Sequence, residues 1–373
     1  MGCVCRSAPN ENEIKFGSSQ IKTSIIKPNP NDPNNSKEAF KEKLLEYGDY
    51  ITQNNFNELI SKEIQNYMNE NPLKINSENL NKDNVFEIEP IKFKNGNIYQ
   101  GFWNQEFKMD GRGKYYLEQD KVFAEGNWDD GDLIYGRVFL PNGDIYEGEI
   151  KNSQFHGKGK LKTNNYLYEG DFLNGEKTGN GKIIFSDETI YDGNLINGEF
   201  KGNGHMTWKN GYEYDGEFDG PLLNGKGKLK CPEGDYYEGD FENNLFHGKG
   251  KYHFGENKSE YDGEFQYGIK KGKGIYITDQ YTYDGYWDND LPCGIGKLIN
   301  TNNNVVLKST WRYGIIVEEP KFLQGSDEDF KKIDLNIKPK EMILNTKDLP
   351  HLDPMETENT QYKLGNSLSF LAE

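Results

Sequence analysis

Positive charge is scarce in this chain: 44 Lys+Arg stand against 61 Asp+Glu over 373 residues, a formal net charge of −17. Proteins that bind nucleic acid usually present a basic face to the phosphates, so no nucleic-acid partner is expected. Long hydrophobic runs are missing too. No stretch reaches the roughly eighteen apolar residues that a spanning helix needs, and no secretory signal peptide opens the chain. Cysteine is sparse, with four residues of which Cys231 and Cys293 stand isolated. That spacing implies no disulfide framework and suits a reducing, cytosol-facing setting. Aliphatic side chains are also few: the apolar fraction is 34% and the mean hydropathy −0.92. One large aliphatic core is therefore excluded. What the chain has in excess is 42 Gly and 24 Tyr, so aromatic rings must do most of the burying.

Those residues recur in order. A Tyr-x-Gly-x-aromatic phrase, followed by Gly-x-Gly about eleven residues after the Tyr, repeats from Tyr99 to Gly296. Repeats start at Tyr99, Ala124, Tyr146, Tyr168, Tyr191, Tyr214, Tyr237, Tyr261 and Tyr283, 22 to 25 residues apart. The glycine two places on is present every time: Gly101, Gly126, Gly148, Gly170, Gly193, Gly216, Gly239, Gly263 and Gly285. The second repeat is degenerate. It opens on Ala124, keeps Gly136, and reads as having Val138 where the second glycine of Gly-x-Gly belongs.

One unit reads as a β-hairpin. In "YEGDF" the period of two puts Tyr237, Gly239 and Phe241 on one face and Glu238 and Asp240 on the other. In "GKGKY", Gly248, Gly250 and Tyr252 share a face opposite Lys249 and Lys251. The glycines are expected to leave room for large rings of neighbouring strands. Asn95-Gly96, Asn142-Gly143 and Asn210-Gly211 precede repeat starts and are expected to form tight I′-type turns. Nine hairpins give about eighteen antiparallel strands, about 80 to 90 Å of sheet at roughly 4.8 Å per strand, with contacts between neighbours only.

The phrases "YEGDFLNGEKTGNGK", "YEGDFENNLFHGKGK" and "YDGEFQYGIKKGKG" resemble MORN repeats (membrane occupation and recognition nexus), and the resemblance covers about residues 91 to 300. It implies an elongated, twisted array of β-hairpins. It also implies a place among scaffolds at membranes, in axonemes and in the cortical cytoskeleton. MORN arrays are also appended to lipid kinases, junctophilins and a lysine methyltransferase, but nothing in this sequence resembles a kinase or methyltransferase domain.

Catalytic readings of the repeats find no support. A phosphate-binding loop needs Gly-x4-Gly-Lys-Ser/Thr; the stretch from Gly175 to Lys182 has one residue too many and Ile183 at the hydroxyl position. Paired acids such as Glu147/Glu149 and Glu238/Asp240 alternate on a strand face beside lysines of the next strand, which suits cross-strand pairing better than calcium. His156 and His247 hold one repeat position, and no metal-ligand spacing occurs away from the N-terminus. No enzyme activity, metal or cofactor is expected. Between residues 101 and 300, 23 Lys+Arg face 35 Asp+Glu, so direct binding of anionic lipid by the repeats is disfavoured. An aromatic trough left open by the single-layer sheet is the expected docking surface for a protein partner or a second copy in a homodimer.

The chemistry lies at the start. "MGCVCRS" offers Gly2 for N-myristoylation, with Cys3 and Cys5 for palmitoylation, although Arg6 stands where the motif has Ser/Thr. One myristoyl chain anchors only marginally, and the first 36 residues carry four basic residues against three acids, so the cysteines must supply the second anchor. The organisation expected is an acylated tether (1–36), a helical cap and linker (37–90), a repeat array (91–314) and a mostly disordered acidic tail (315–373). Within the cap, one helical stretch carries Phe40, Leu44, Leu45 and Ile51. A second carries Phe56, Leu59, Ile60, Ile64, Tyr67 and Met68, with Asn55 as N-cap and Glu58 closing a capping box. The fold class is mainly β. The function that follows is a non-enzymatic scaffold on a cytoplasmic membrane face. The alternatives are a cytoskeletal or axonemal component held by protein contacts, and a regulatory subunit of a lipid-signalling enzyme.

Overall fold

The computed structural model describes residues 37–74, 85–256, 258–301 and 305–325. Gly2, Cys3, Cys5, the expected tether and the chain after Gly325 lie outside the described residues. The protein is mainly β, built of antiparallel hairpins in tandem, with three short helices before them among the described residues. It divides into two units whose boundary falls between Ile183 and Ile184.

The first unit opens with α1 (Lys37–Leu44), a three-residue strand β1 (Gly48–Tyr50), α2 (Gln53–Leu59) and α3 (Lys62–Glu70). Its hairpins run through β2 (Val85–Phe93), β3 (Ile98–Asn104), β4 (Met109–Leu117), β5 (Val122–Asp129), β6 (Asp132–Phe139), β7 (Ile145–Lys151), β8 (Gln154–Lys162) and β9 (Tyr166–Leu173). β10 (Glu176–Phe185) runs across the boundary. The N-cap of α2 is Thr52, whose hydroxyl accepts from the Asn55 N–H at 3.2 Å; Asn55 is inside the helix. The expected first helix stops at Leu44, so that Ile51 follows the strand β1, and the expected second helix is two helices. Ile60 is extended at φ −92° and ψ 122°, and Ser61 caps α3 by accepting from the Ile64 N–H. The break turns Phe56 and Ile60 into the sheet along with part of Ile64, Tyr67 and Met68.

The second unit continues with β11 (Ile190–Ile196), β12 (Glu199–Thr207), β13 (Glu213–Asp219), β14 (Leu222–Lys230), β15 (Tyr236–Glu242), β16 (Leu245–Phe254), β17 (Ser259–Gln266), β18 (Ile269–Ile277), β19 (Tyr281–Asp288), β20 (Leu291–Asn300) and β21 (Val306–Arg312). Two short strands, β22 (Ile315–Ile316) and β23 (Lys321–Gln324), both pair with β21.

Turn chemistry is allotted differently from the sequence expectation. The two-residue turns with both residues at positive φ lie inside the hairpins, as at Asn152-Ser153 (50° and 58°) and Asn243-Asn244 (50° and 67°). At the Asn-Gly connections only the glycine is left-handed (Gly96 at 89°, Gly143 at 92°, Gly211 at 89°). There the Asn side chain accepts from the N–H two residues on, at 3.0 Å from Asn97 and 3.1 Å from Asp144. A longer connection lets Asn stay right-handed and close an Asx turn, so these are not I′ turns.

Candidate functional site

The hairpin formed by β15 and β16 shows what the repeat residues do. Tyr237 is fully buried, and its hydroxyl donates to the Asp240 carbonyl at 2.9 Å. Its ring stacks on Phe246 with centroids 3.9 Å apart and meets Phe241, and Phe265 of the next hairpin, edge-on at 5.1 Å. Gly239 pairs with Gly250 beneath that ring. A Cβ built on Gly239 would lie 2.5 Å from the Gly250 Cα and 2.6 Å from the Tyr237 hydroxyl oxygen. Gly250 thus clears space for a ring of the neighbouring strand, as the sequence suggested, and Gly239 clears it for the ring of its own strand.

The same hydroxyl bond to a carbonyl three residues on is made by Tyr99, Tyr146, Tyr168, Tyr191, Tyr214, Tyr261 and Tyr283. Each sits against its own glycine, at 101, 148, 170, 193, 216, 263 or 285. Burial pushes these tyrosine hydroxyls up from their ordinary value, so they stay protonated donors.

The aromatic face is therefore a core and not an open trough. Every repeat-start tyrosine has no exposed surface, and Phe172, Phe218, Phe241 and Phe265 are 2–4% exposed. Rings stacked edge to face along successive hairpins cover one another, which the sequence alternation alone did not reveal.

The degenerate repeat is corrected by its register. Gly136 pairs with Gly126 as Gly159 pairs with Gly148, so Gly136 is the second glycine of the motif, and Val138 pairs with Ala124 as Leu161 pairs with Tyr146. The absent residue is the first glycine. Ala124 supplies no ring, and Leu133 takes its place against the glycines: its Cδ1 would be 2.8 Å from a Cβ on Gly126.

The opposite, outer face carries the acids and lysines. Cross-strand pairs join Lys228 to Glu238 at 3.0 Å, Lys160 to Glu169 at 3.0 Å and Lys251 to Glu260 at 2.6 Å, and Lys226 pairs with Asp240. Some acids also secure the bulge after the paired glycine. Glu149, Glu217 and Asp240 accept from the backbone N–H groups of Lys158, Lys226 and Lys249 at 2.9, 2.9 and 3.0 Å. Each accepted N–H follows a left-handed glycine, Gly157, Gly225 or Gly248. The recurring acid and Gly-Lys-Gly thus form one backbone device.

Among the described residues no group of three or more His, Cys, Asp or Glu could hold a metal ion. His205 pairs with Asp215 at 2.7 Å and with Thr207 at 3.0 Å. Cys231 is buried, and its thiol is pushed up to about 11 chiefly by that burial, which makes it a poor nucleophile at neutral pH.

Two features escaped the sequence reading. Arg137, 2% exposed, donates to Glu147 at 2.6 Å, to Glu125 at 3.2 Å and to the Asn71 carbonyl at 2.8 Å, with Tyr67 over its guanidinium. It ties the end of α3 to β5, β6 and β7. Beside it Phe56 and Ile60 pack on Ile98, Tyr116, Phe123 and Phe139 of the outer face. The second feature is Lys270, 1% exposed among Phe254, Tyr261, Tyr276 and Trp287, with 5.3 to 6.0 Å to the ring centroids. Burial pushes its ammonium down to about 8, opposed by Asp290. It pairs with Phe265 as Phe246 pairs with Phe241, so it fills an aromatic slot of the repeat. That slot was the signal, hidden in the run "KKGK".

Comparison with known proteins places this geometry. The MORN repeat family model matches residues 146–166, 168–190, 191–211, 214–236, 237–257, 261–279 and 283–305. The chain carries a tandem array of MORN repeats, generally a non-catalytic module, and no kinase or methyltransferase domain is indicated. The hairpins at Tyr99 and Ala124 precede the matched ones with the same glycine pairing. No curated protein matches the chain. Solved structures with some similarity include the TCP10 domain of Danio rerio CPAP in complex with a STIL peptide (12% identity, 54% of this chain and 84% of that chain, TM-score 0.26). They also include the G-box domain of the microcephaly protein CPAP (10% identity, 58% and 100%, TM-score 0.27). A third is the TCP10c domain of Drosophila melanogaster Sas-4 (11% identity, 52% and 93%, TM-score 0.16). TM-scores of this size carry no argument about this chain.

Proposed function

We propose that this MORN-repeat chain is a non-enzymatic scaffold, held at a cytoplasmic membrane face by acyl groups on Gly2 and on Cys3 and Cys5, and that its array organises protein partners. The observation that carries the scaffold reading is the division of labour between the two faces. The inner face spends its rings on covering one another, and the outer face spends its charges on cross-strand pairs and backbone bulges. Among the described residues neither face leaves a convergent set of reactive groups, whereas a row of repeated side chains suits recognition of an extended partner. With the aromatic face closed, partners meet the outer face or the turns. The acyl reading rests on the residues at the start of the chain: two acyl chains hold a protein where one does not, and the tether between them and the array is not basic enough to help.

Membrane partition and intact mass test the anchor. Wild-type protein expressed in eukaryotic cells is expected in the membrane fraction, with an N-terminal peptide heavier by a myristoyl group. Gly2→Ala should move it to the soluble fraction, and Cys3→Ser/Cys5→Ser should loosen it. An unmodified N-terminal peptide would overturn the anchor. It would favour the second reading, a cytoskeletal or axonemal component held by protein contacts, which the net acidic surface of the array also suits.

A further inference from the structure

The outer face of the last hairpins departs from the charged pattern of those before them. One register row of the second unit starts at Ile190 and Thr207 and then reads Glu213, Lys230, Tyr236, His253 and Glu260 from β13 through β17. Beyond it the same row becomes Ile277, Thr282, Ile299 and Val306. Ile277 is 41% exposed there, and Ile295 close by is 55% exposed. The ion-pair ladder stops at the same place. Neither Lys297 nor Lys308 takes part in an ion pair among the described residues, in contrast to Lys228, Lys230 and Lys251.

Where the chain goes next identifies the occupant. β23 pairs Gln324 with Val306, so the backbone reaches Gly325 at the end of this very row. Residues 327–329 are Asp-Glu-Asp, and Phe330, Ile333, Leu335 and Ile337 follow, the last three alternating with polar residues. From Gln324 to Ile277 is four strand steps, about 19 Å, and the nine residues to Ile333 reach about 30 Å when extended. In sequence order, the acidic stretch comes within reach of Lys297 and Lys308 before the apolar stretch comes within reach of Ile277.

We propose that residues 326–337 fold back across the outer face of β18–β21, with Asp327, Glu328 and Asp329 towards Lys297 and Lys308 and the alternating apolar residues over the row at Ile277. The first unit shows that a MORN outer face accepts such a cover from the same chain: its apolar row lies under α2 and α3.

The full-length chain tests this with two introduced cysteine reporters of matched exposure, Ile277→Cys and Ile184→Cys (41% and 39% for the native residues). Labelling by a thiol reagent is followed at each site by peptide mass. Covering should slow labelling at position 277 about ten-fold relative to position 184. Adding Ile333→Asp, Leu335→Asp and Ile337→Asp to the full chain should bring the two rates together, while the far-UV spectrum stays unchanged. Equal rates before those substitutions would overturn the proposal, as would protection that survives them. Protection that grows with protein concentration would also overturn it, because the occupant would then be a second copy.

Discussion

The first hairpins and the last two present the same register row to the outside, and in both places the row is largely apolar. Over the first hairpins Tyr116, Phe123 and Phe139 are roofed by Phe56 and Ile60, with Arg137 clamped between Glu125, Glu147 and the end of α3. Over the last hairpins Ile277, Thr282 and Ile299 have no described element above them. From β13 to β17, which lead up to them, the row is polar or aromatic-polar and carries ion pairs. The comparison shows that the repeat rule dictates the inner face closely and leaves the outer row free. The sequence spends that freedom on charge from β13 to β17 and on apolar residues under α2 and α3.

The largest expected effect breaks the clamp at the covered end. Arg137→Ala leaves the partly buried carboxylates of Glu125 and Glu147 unpaired, and should cost about 3–5 kcal/mol in urea denaturation. Amide exchange in α3 should rise in the same variant; an unchanged α3 would mean the guanidinium does not hold the helix. Next comes the inner face, which both regions share. Gly239→Val drives a side chain into the Gly250 backbone and the Tyr237 ring, and should destabilise by about 1–3 kcal/mol; an unchanged melting temperature would contradict the close approach.

A stabilising change sharpens the contrast beneath the last hairpins. Lys270→Phe restores the stacked ring present at Phe246 and removes a buried charge, for an expected gain of about 1–2 kcal/mol at pH 7. The gain should depend on pH with a definite sign. The folded ammonium titrates near 8 and the unfolded one near 10.5, so between those values the unfolded chain holds a proton that the folded chain has released. Lys270 therefore destabilises most below about pH 8 and less as pH rises, and the gap between the two proteins should narrow from pH 8 to 10. A gap independent of pH would mean the amine is not desolvated. The smallest effect is at the charged outer row, where Lys228→Ala should cost a few tenths of a kcal/mol and lose even that at high salt.

Much of this was legible beforehand. Tyr, Gly and Phe spaced by two, then by eleven, define a hairpin because only backbone-bare positions let a large ring lie flat across two strands. Asn55 as N-cap was a misreading, since Thr52 offers the same oxygen three residues earlier and the helix starts wherever a cap meets an apolar face. The I′ turns were assigned to Asn-Gly because that dipeptide is the strongest local signal, yet pairs such as Asn152-Ser153 take both left-handed positions, held there by the strands on either side.

By itself, then, the sequence determined the repeat, its antiparallel hairpin and the inner row of rings, because each of these follows from short-range spacing and from the size of the residue at each spacing. Tertiary structure alone decided that the rings close over one another, that Arg137 and Lys270 are buried, and that an apolar outer row lies under helices at one end. Those outcomes depend on what packs against a residue from another hairpin or helix, and alternation along a strand says which face a side chain takes but not what comes to cover it.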